Sequence, residues 1–391
     1  RASLARRASL APRASLAPRA SLAPRASLAP RALLAPRALL APRALLAPRA
    51  LLAPRALLAP RALLAHLAFL AFALGCAPTP TTVTPPAAAS PLPDATGPGP
   101  WAVHHRPLDG GHALFVPSTT TAAPDPALYP LPLVVFSPGF SATPDDYEET
   151  LLHLASHGFV VVGARHGFDF VSATFCATQR EGYLRARAAL NEVRRLSELP
   201  MERSDLHGLV DTRAPVGAVG HSYGGKLSLW LAADGNGVGA VVALDPVDGG
   251  DDRRPGWCAP APGGFPSIAP RLGDDDLPPV LVVMAGRSGD CAPADGNGDV
   301  LFAALASDAV LLRLPAATHT DFVDAAGRDD CTACGLCPAS GEDGASVLRL
   351  VRGATVSFLR HRLLRDERAA DWRVHGGVLD GSVGVEVLRK P

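Results

Sequence analysis

The chain has 391 residues, 37 basic and 37 acidic, for a formal net charge of zero, and 48% of it is hydrophobic. That balance hides an asymmetry: residues 1–61 carry 12 arginines and no acid, so the remainder holds 25 basic against 37 acidic residues, a net charge near −12. A folded part so acidic excludes nucleic acid as its expected partner.

The first 60 residues repeat Arg-Ala-Ser-Leu-Ala-Pro, drifting to Arg-Ala-Leu-Leu-Ala-Pro. A period of six fits neither a helix nor a strand, and a proline in each unit stops a helix before it gains length. Solenoid repeats are far longer. Residues 1–60 are therefore expected to be a low-complexity, disordered tract or a misassigned start. Residues 61–76 follow as Arg61-Ala-Leu-Leu-Ala-His66, then an apolar run ending in Gly75-Cys76. A positive flank, a short apolar core and small residues before a cysteine resemble a bacterial lipoprotein signal, with Cys76 as the lipidated residue. The run is short for a membrane span, so membrane contact is expected only through a lipid at Cys76. The rival reading is an accidental apolar run at the end of the repeat. Residues 77–100 are rich in Pro, Thr and Ala and read as an extended linker. Residues 101–391 suffice for one large domain.

Within that domain, Trp101–His104 and His112–Pro117 read as early antiparallel strands. Leu133-Val-Val-Phe136 reads as a central parallel strand, ending in the loop Ser137-Pro-Gly-Phe-Ser141. Asp145 is placed to cap a helix carrying Tyr147, Leu151, Leu152 and Ala155 on one stripe, with His153 and His157 at the surface or between helices. Phe159–Ala164 is the next buried strand. A long charged helix from about Gln179 to Glu198 has Leu184, Ala188, Asn191 and Arg195 at helical spacing, a solvated face over a packed one.

The chemistry centres on Gly220-His-Ser-Tyr-Gly-Gly225. An apolar run precedes it and Lys226–Ala233 follows as a helix. Strand, G-x-S-x-G, helix is a nucleophile elbow, and it predicts an α/β-hydrolase: a mostly parallel sheet with helices on both faces. Ser222 must sit on a strained turn, with glycines where a side chain would collide. The backbone N–H groups of Phe140 and Tyr223 are the expected oxyanion donors. His166 and Asp169 precede the serine, whereas the acid and base of this fold follow it; His166 fits the pocket rim better. Strand Gly239–Leu244 ends in Asp245, and strand Pro279–Met284 leads to Asp290, so the spacing leaves two candidate acids. His319, after strand Ala309–Leu314, lies where the general base belongs; His361 and His375 lie in or beyond the last helix. That helix spans about Ala345–Arg365, with Val347, Leu350, Val351, Ala354, Phe358 and Leu359 inward. Val374–Leu388 reads as a small hairpin.

Six further cysteines, Cys176, Cys258, Cys291, Cys331, Cys334 and Cys337, are even in number and suit disulfides in an oxidising compartment; spacing does not set their pairing. Cys331-x-x-Cys334-x-x-Cys337 also evokes an iron–sulfur or zinc site, but a fourth ligand is missing. Asp295, Asn297 and Asp299 imitate half a calcium loop without the distal glutamate, and a solvated turn is the better reading. No metal or cofactor is expected.

The fragments Ser137-Pro-Gly-Phe-Ser141, Leu154-Ala-Ser-His-Gly-Phe-Val-Val-Val162, Gly220-His-Ser-Tyr-Gly-Gly225, Leu244-Asp-Pro-Val-Asp-Gly249 and Cys291-Ala-Pro293 resemble plant chlorophyllases. The same frame is similar to secreted platelet-activating-factor acetylhydrolases, over residues 130 to 350. The resemblance implies Ser222 as nucleophile, His319 as base, Asp245 rather than Asp290 as acid, and Phe140 and Tyr223 as oxyanion donors. Ser137-Pro138 stands where His-Gly is common in these relatives, and the loop after Asp248 and the Cys331–Cys337 segment are this chain's own. The expectation is therefore a monomeric bacterial cell-envelope serine esterase. Its substrate would be a moderately hydrophobic small-molecule or lipid-like ester, with a polyester, cutin or phospholipid substrate as the alternative. A catalytically dead binding protein on the same fold is the rival outside enzymes.

Overall fold

The computed structural model describes residues 94–167, 175–248, 266–274, 276–289, 292, 297–306, 308–330, 337–338, 344–371 and 384–390. The repeat, the signal-like segment with Cys76 and most of the linker lie outside the described residues. So do Asp169, Asp290, Asp295, His375, Cys258, Cys291, Cys331, Cys334 and the side chain of Cys176. Cys337 is disulfide-bonded.

One nine-stranded sheet organises the described chain, in the order β1-β2-β4-β3-β5-β6-β7-β8-β9. β1 (Ala102–Pro107) and β2 (Ala113–Ser118) are antiparallel, as the early part of the sequence predicts. β3 (Leu133–Ser137), β4 (Val160–Gly163), β5 (Val216–His221), β6 (Val238–Leu244), β7 (Val280–Ala285) and β8 (Ala309–Leu314) run parallel. β9 (Glu386–Arg389) closes the edge antiparallel to β8. The hairpin expected over Val374–Leu388 is thus replaced, in its described part, by a strand added to the main sheet.

Helices cover both faces. α1 (Glu148–Ser156) and α4 (Gly344–Leu364) share one core with the sheet; α2 (Phe175–Glu198) and α3 (Tyr223–Ala233) share the other. The apolar strands are continuous because each residue has a core to enter. Leu133 and Val135 face the α2–α3 side, and Val134 and Phe136 face the α1–α4 side, following the two-residue alternation of a strand. On α2 the predicted stripe of Leu184, Ala188, Asn191 and Arg195 is the exposed one. Tyr183, Ala186, Ala189, Leu190 and Val193 form the packed one. All six residues expected inward on the last helix are buried.

Two local expectations are corrected. The cap is Thr143, in a capping box with Asp146, whose carboxylate accepts bonds from the Thr143 N–H and hydroxyl at 2.6 and 3.1 Å; Asp145 is exposed. His153 and His157, expected at the surface or between helices, are buried and hold the chain entering the domain. His153 Nε2–H donates to Ala95 O at 2.9 Å, and His157 Nε2–H donates to Gly97 O at 3.0 Å. Gly99 passes so close to Ser156 that a Cβ would lie 2.1 Å from its carbonyl oxygen. The last part of the expected linker, from Asp94, is therefore bound to α1.

The register aligns the carboxyl ends that matter. Ser137 pairs with Gly220, His221 with Leu244, and Ala285 with Leu314. Loops leaving β3, β5, β6, β7 and β8 consequently share one rim, where ligands bind in sheets of this kind.

Candidate active site

β5 ends and α3 begins around Ser222, whose backbone sits at φ 58° and ψ −127°. That conformation is costly for a residue with a Cβ and persists only where its surroundings hold it. The Ser222 N–H donates to Leu244 O at 2.8 Å, and its carbonyl accepts from Gly225 and Val247 at 2.9 and 3.0 Å. The glycines of the motif are dictated by contact. A Cβ at Gly220 would lie 2.1 Å from Gly224 O, and one at Gly224 would lie 2.0 Å from Ser137 O.

Three side chains meet above this turn. The Ser222 hydroxyl lies 2.9 Å from His319 Nε2, and His319 Nδ1 lies 2.6 Å from Asp245 Oδ2. All three are buried. Asp245 also accepts from the Ser288 hydroxyl at 2.7 Å and from the Ala285 N–H at 3.1 Å, both at the end of β7. Three donors fix the carboxylate, and its contact with Nδ1 orients the His319 ring so that Nε2 faces the Ser222 hydroxyl. Of the two acids the spacing left open, Asp245 is the one bonded to His319; Asp290 lies outside the described residues.

His319 rides on a 3₁₀ turn, His319–Phe322, whose entry is pinned by Asp321. The Asp321 carboxylate accepts from the Thr318 N–H and hydroxyl at 2.8 and 3.0 Å, and from Arg328 at 3.2 Å. Phe140 is half-buried and follows Gly139, where a Cβ would sit 3.4 Å from the Ser222 Cβ. Tyr223, the residue after Ser222, opens α3. The helix end behind Ser222 favours negative charge there.

Spacing did not single out three supporting residues. His221 is buried, and burial, with His319 beside it, holds its pKa well below the ordinary value, so the ring is neutral. Tyr147 Oη lies 2.7 Å from its Nδ1. Lys226 is fully buried in α3, with Nζ 3.0 Å from Asp248 Oδ1, 2.6 Å from Asp248 O and 2.9 Å from Gln179 Oε1. It anchors the loop that follows Asp245. The available signal was polarity inside an otherwise buried stretch, since such groups require partners. His166 is buried beside the Tyr223 ring at 5.4 Å in an edge-on contact, and desolvation pushes its pKa down to about 3.

The two described members of the calcium-like run have protein partners: Asn297 Oδ1 accepts from the Asp248 N–H at 2.9 Å, and Asp299 pairs with Arg313. Among the described residues no group of three or more His, Cys, Asp or Glu could hold a metal ion.

A parallel sheet flanked by helices, with a serine on a strained turn between strand and helix, defines an α/β-hydrolase. The family profile described as Chlorophyllase matches residues 117–375, well over half of the chain. The chain belongs to the chlorophyllase family, a branch of the ester-cleaving α/β-hydrolases. No curated protein matches the sequence significantly.

Proposed function

We propose that this protein is a serine carboxylic-ester hydrolase that works through an acyl-enzyme. The observation that carries the reading is the buried run from Ser222 Oγ through His319 to Asp245, at 2.9 and 2.6 Å. Ser222 Oγ attacks the ester carbonyl as His319 Nε2 takes its proton. The carbonyl oxygen becomes an oxyanion, received by the N–H groups of Phe140 and Tyr223. Collapse of this intermediate breaks the ester C–O bond, and His319 gives its proton to the departing alcohol. Water, deprotonated by the same nitrogen, then attacks the acyl-serine and releases the acid. Asp245 keeps its negative charge and stabilises the imidazolium.

The substrate in this reading is a moderately hydrophobic ester, in keeping with the small and apolar residues of the rim-loop sequences. Residues 61–76 serve as a lipoprotein signal with Cys76 as the anchor point, and the protein is a monomer of the bacterial cell envelope. The disulfide at Cys337 supports an oxidising compartment. Among the described residues no helix is long and apolar enough to cross a membrane. Replacement of Cys76 by serine should then release the protein from the membrane fraction.

Hydrolysis of p-nitrophenyl esters with acyl chains of two to sixteen carbons tests the activity. Turnover that falls at least about a thousandfold in Ser222→Ala is expected, and the chain-length optimum sizes the acyl pocket. A folded, oxidised protein without turnover on any member would favour the binding-protein reading.

A further inference from the structure

We propose that His221 and Tyr147 are positioning residues that tie the loop of Phe140 to the loop of His319. This inference rests on the esterase reading above. His221 Nε2 lies 3.1 Å from the His319 carbonyl oxygen. A carbonyl only accepts, so Nε2 carries the ring proton and Nδ1 is left as an acceptor. Tyr147 lies 2.7 Å from that Nδ1, so its hydroxyl donates there. The same oxygen accepts from the Gly139 N–H at 3.1 Å. One directed chain results: Gly139 N–H to Tyr147, Tyr147 O–H to His221, and His221 N–H to the His319 backbone.

Each link lies where catalysis needs rigidity and local sequence supplies little. Gly139 precedes Phe140 and has no side chain to limit its rotation. The Tyr147 hydroxyl is the acceptor that fixes its amide, and so sets the aim of the Phe140 N–H in the next peptide. The His319 carbonyl belongs to the base itself, and holding it limits swing of the imidazole away from Ser222. His221 is held in turn by aromatic packing. Its ring lies parallel to Phe322 at 5.7 Å and 12°, 4.6 Å from the His319 ring and 5.8 Å from that of Tyr147. The hydrogen bonds of His221 and Tyr147 go to Gly139, the His319 backbone and each other, and Tyr147 also packs on Phe136 at 4.9 Å; Ser222 Oγ and His319 Nε2 bond to each other. Their effect on the reaction is therefore geometric.

The test uses Tyr147→Phe, which removes one oxygen, together with His221→Phe and His221→Gln. Active sites are counted by stoichiometric reaction with an alkyl fluorophosphonate, which loses fluoride as the serine Oγ–P bond forms, and kcat is expressed per counted site. An alkyl boronic acid, which forms a tetrahedral adduct on the serine, reports the oxyanion site. Tyr147→Phe is expected to lower kcat per site about ten- to a hundredfold, below the loss from deleting a whole oxyanion donor. KM should stay within about threefold, and boronate affinity should fall by the same factor as kcat. His221→Phe should lose at least as much, and His221→Gln, with one donor and one acceptor, should recover part of it. A purely structural role predicts otherwise: fewer counted sites and a lower Tm, with kcat per site and boronate affinity unchanged, and that result overturns the proposal. A wild-type protein that neither turns over esters nor reacts with the phosphonate overturns the esterase reading and this inference together.

Discussion

Two turns on the catalytic rim are built alike and put to different use. Thr143-Pro-Asp-Asp-Tyr147 and Thr318-His-Thr-Asp-Phe322 share the order Thr-x-x-Asp-aromatic. In both, the aspartate carboxylate closes back on the threonine N–H and hydroxyl, and the intervening residues form a 3₁₀ turn. In both, the aromatic ring lies against His221. The second turn presents His319, the proposed base, at its first helical position and ends in phenylalanine, which packs on His221. The first has proline there and ends in tyrosine, whose hydroxyl reaches the Gly139 amide. A short capped turn is thus a rigid bracket, and chemistry enters through one residue at either end of it.

The largest effect expected is on the turn that carries His319. His319→Ala should lower kcat at least about a thousandfold while the fold survives, measured on p-nitrophenyl esters with circular dichroism alongside. No substitution within Thr143–Tyr147 should approach that loss.

Acid should strain the structure around both turns through buried neutral histidines. His153, on the helix that follows the first turn, has its pKa lowered to about 4, mainly by burial and then by His157. His157, His166 and His221 are shifted down as well, burial being the main cause in each. The unfolded chain takes up these protons first, near pH 6.5. Stability is therefore complete above pH 6.5 and is lost as pH falls from there toward 4. His153 alone accounts for about 3 kcal/mol at ~1.4 kcal/mol per pKa unit. Urea midpoints between pH 7.5 and 4.5 check the slope, and His153→Gln, which keeps an N–H for Ala95 O, should flatten it.

The carboxylates separate the two brackets next. Asp321 is fully buried and also holds Arg328, whereas Asp146 is only partly buried. Asp321→Ala should cost about 2–3 kcal/mol, because buried donors lose their acceptor, and should lower kcat by loosening His319. Asp146→Ala should be the mildest, about 1 kcal/mol as for a lost cap, with kcat nearly unchanged. Thermal denaturation and kcat on the two variants give the contrast; equal effects on kcat would show that the brackets do not divide the work as described.

How much of this was legible in the sequence depends on the range of the interaction. The elbow was readable because its determinants are adjacent: an apolar strand, glycines two before and two after Ser222, and a helix. The strands of the parallel sheet were readable because burial on both faces makes them continuously apolar. The two acids were not separable by spacing, since each follows a strand end. Packing joins the two ends instead: Ser288 and Ala285, from the second, hold the Asp245 carboxylate that follows the first. His153, His157 and His221 looked like ordinary polar positions because their partners lie 58, 60 and 74 residues away along the chain. Lys226 likewise meets Asp248 only through the fold. The contact between Asp94–Trp101 and α1 was hidden by a composition that reads as linker.

The most direct test of the central claim, that Ser222 is an activated nucleophile, is mass spectrometry after incubation with an alkyl fluorophosphonate. A single adduct on the peptide containing Ser222, absent in Ser222→Ala and strongly slowed in His319→Ala, is the predicted result. A folded protein that stays unmodified, or is labelled equally in Ser222→Ala, would contradict the account.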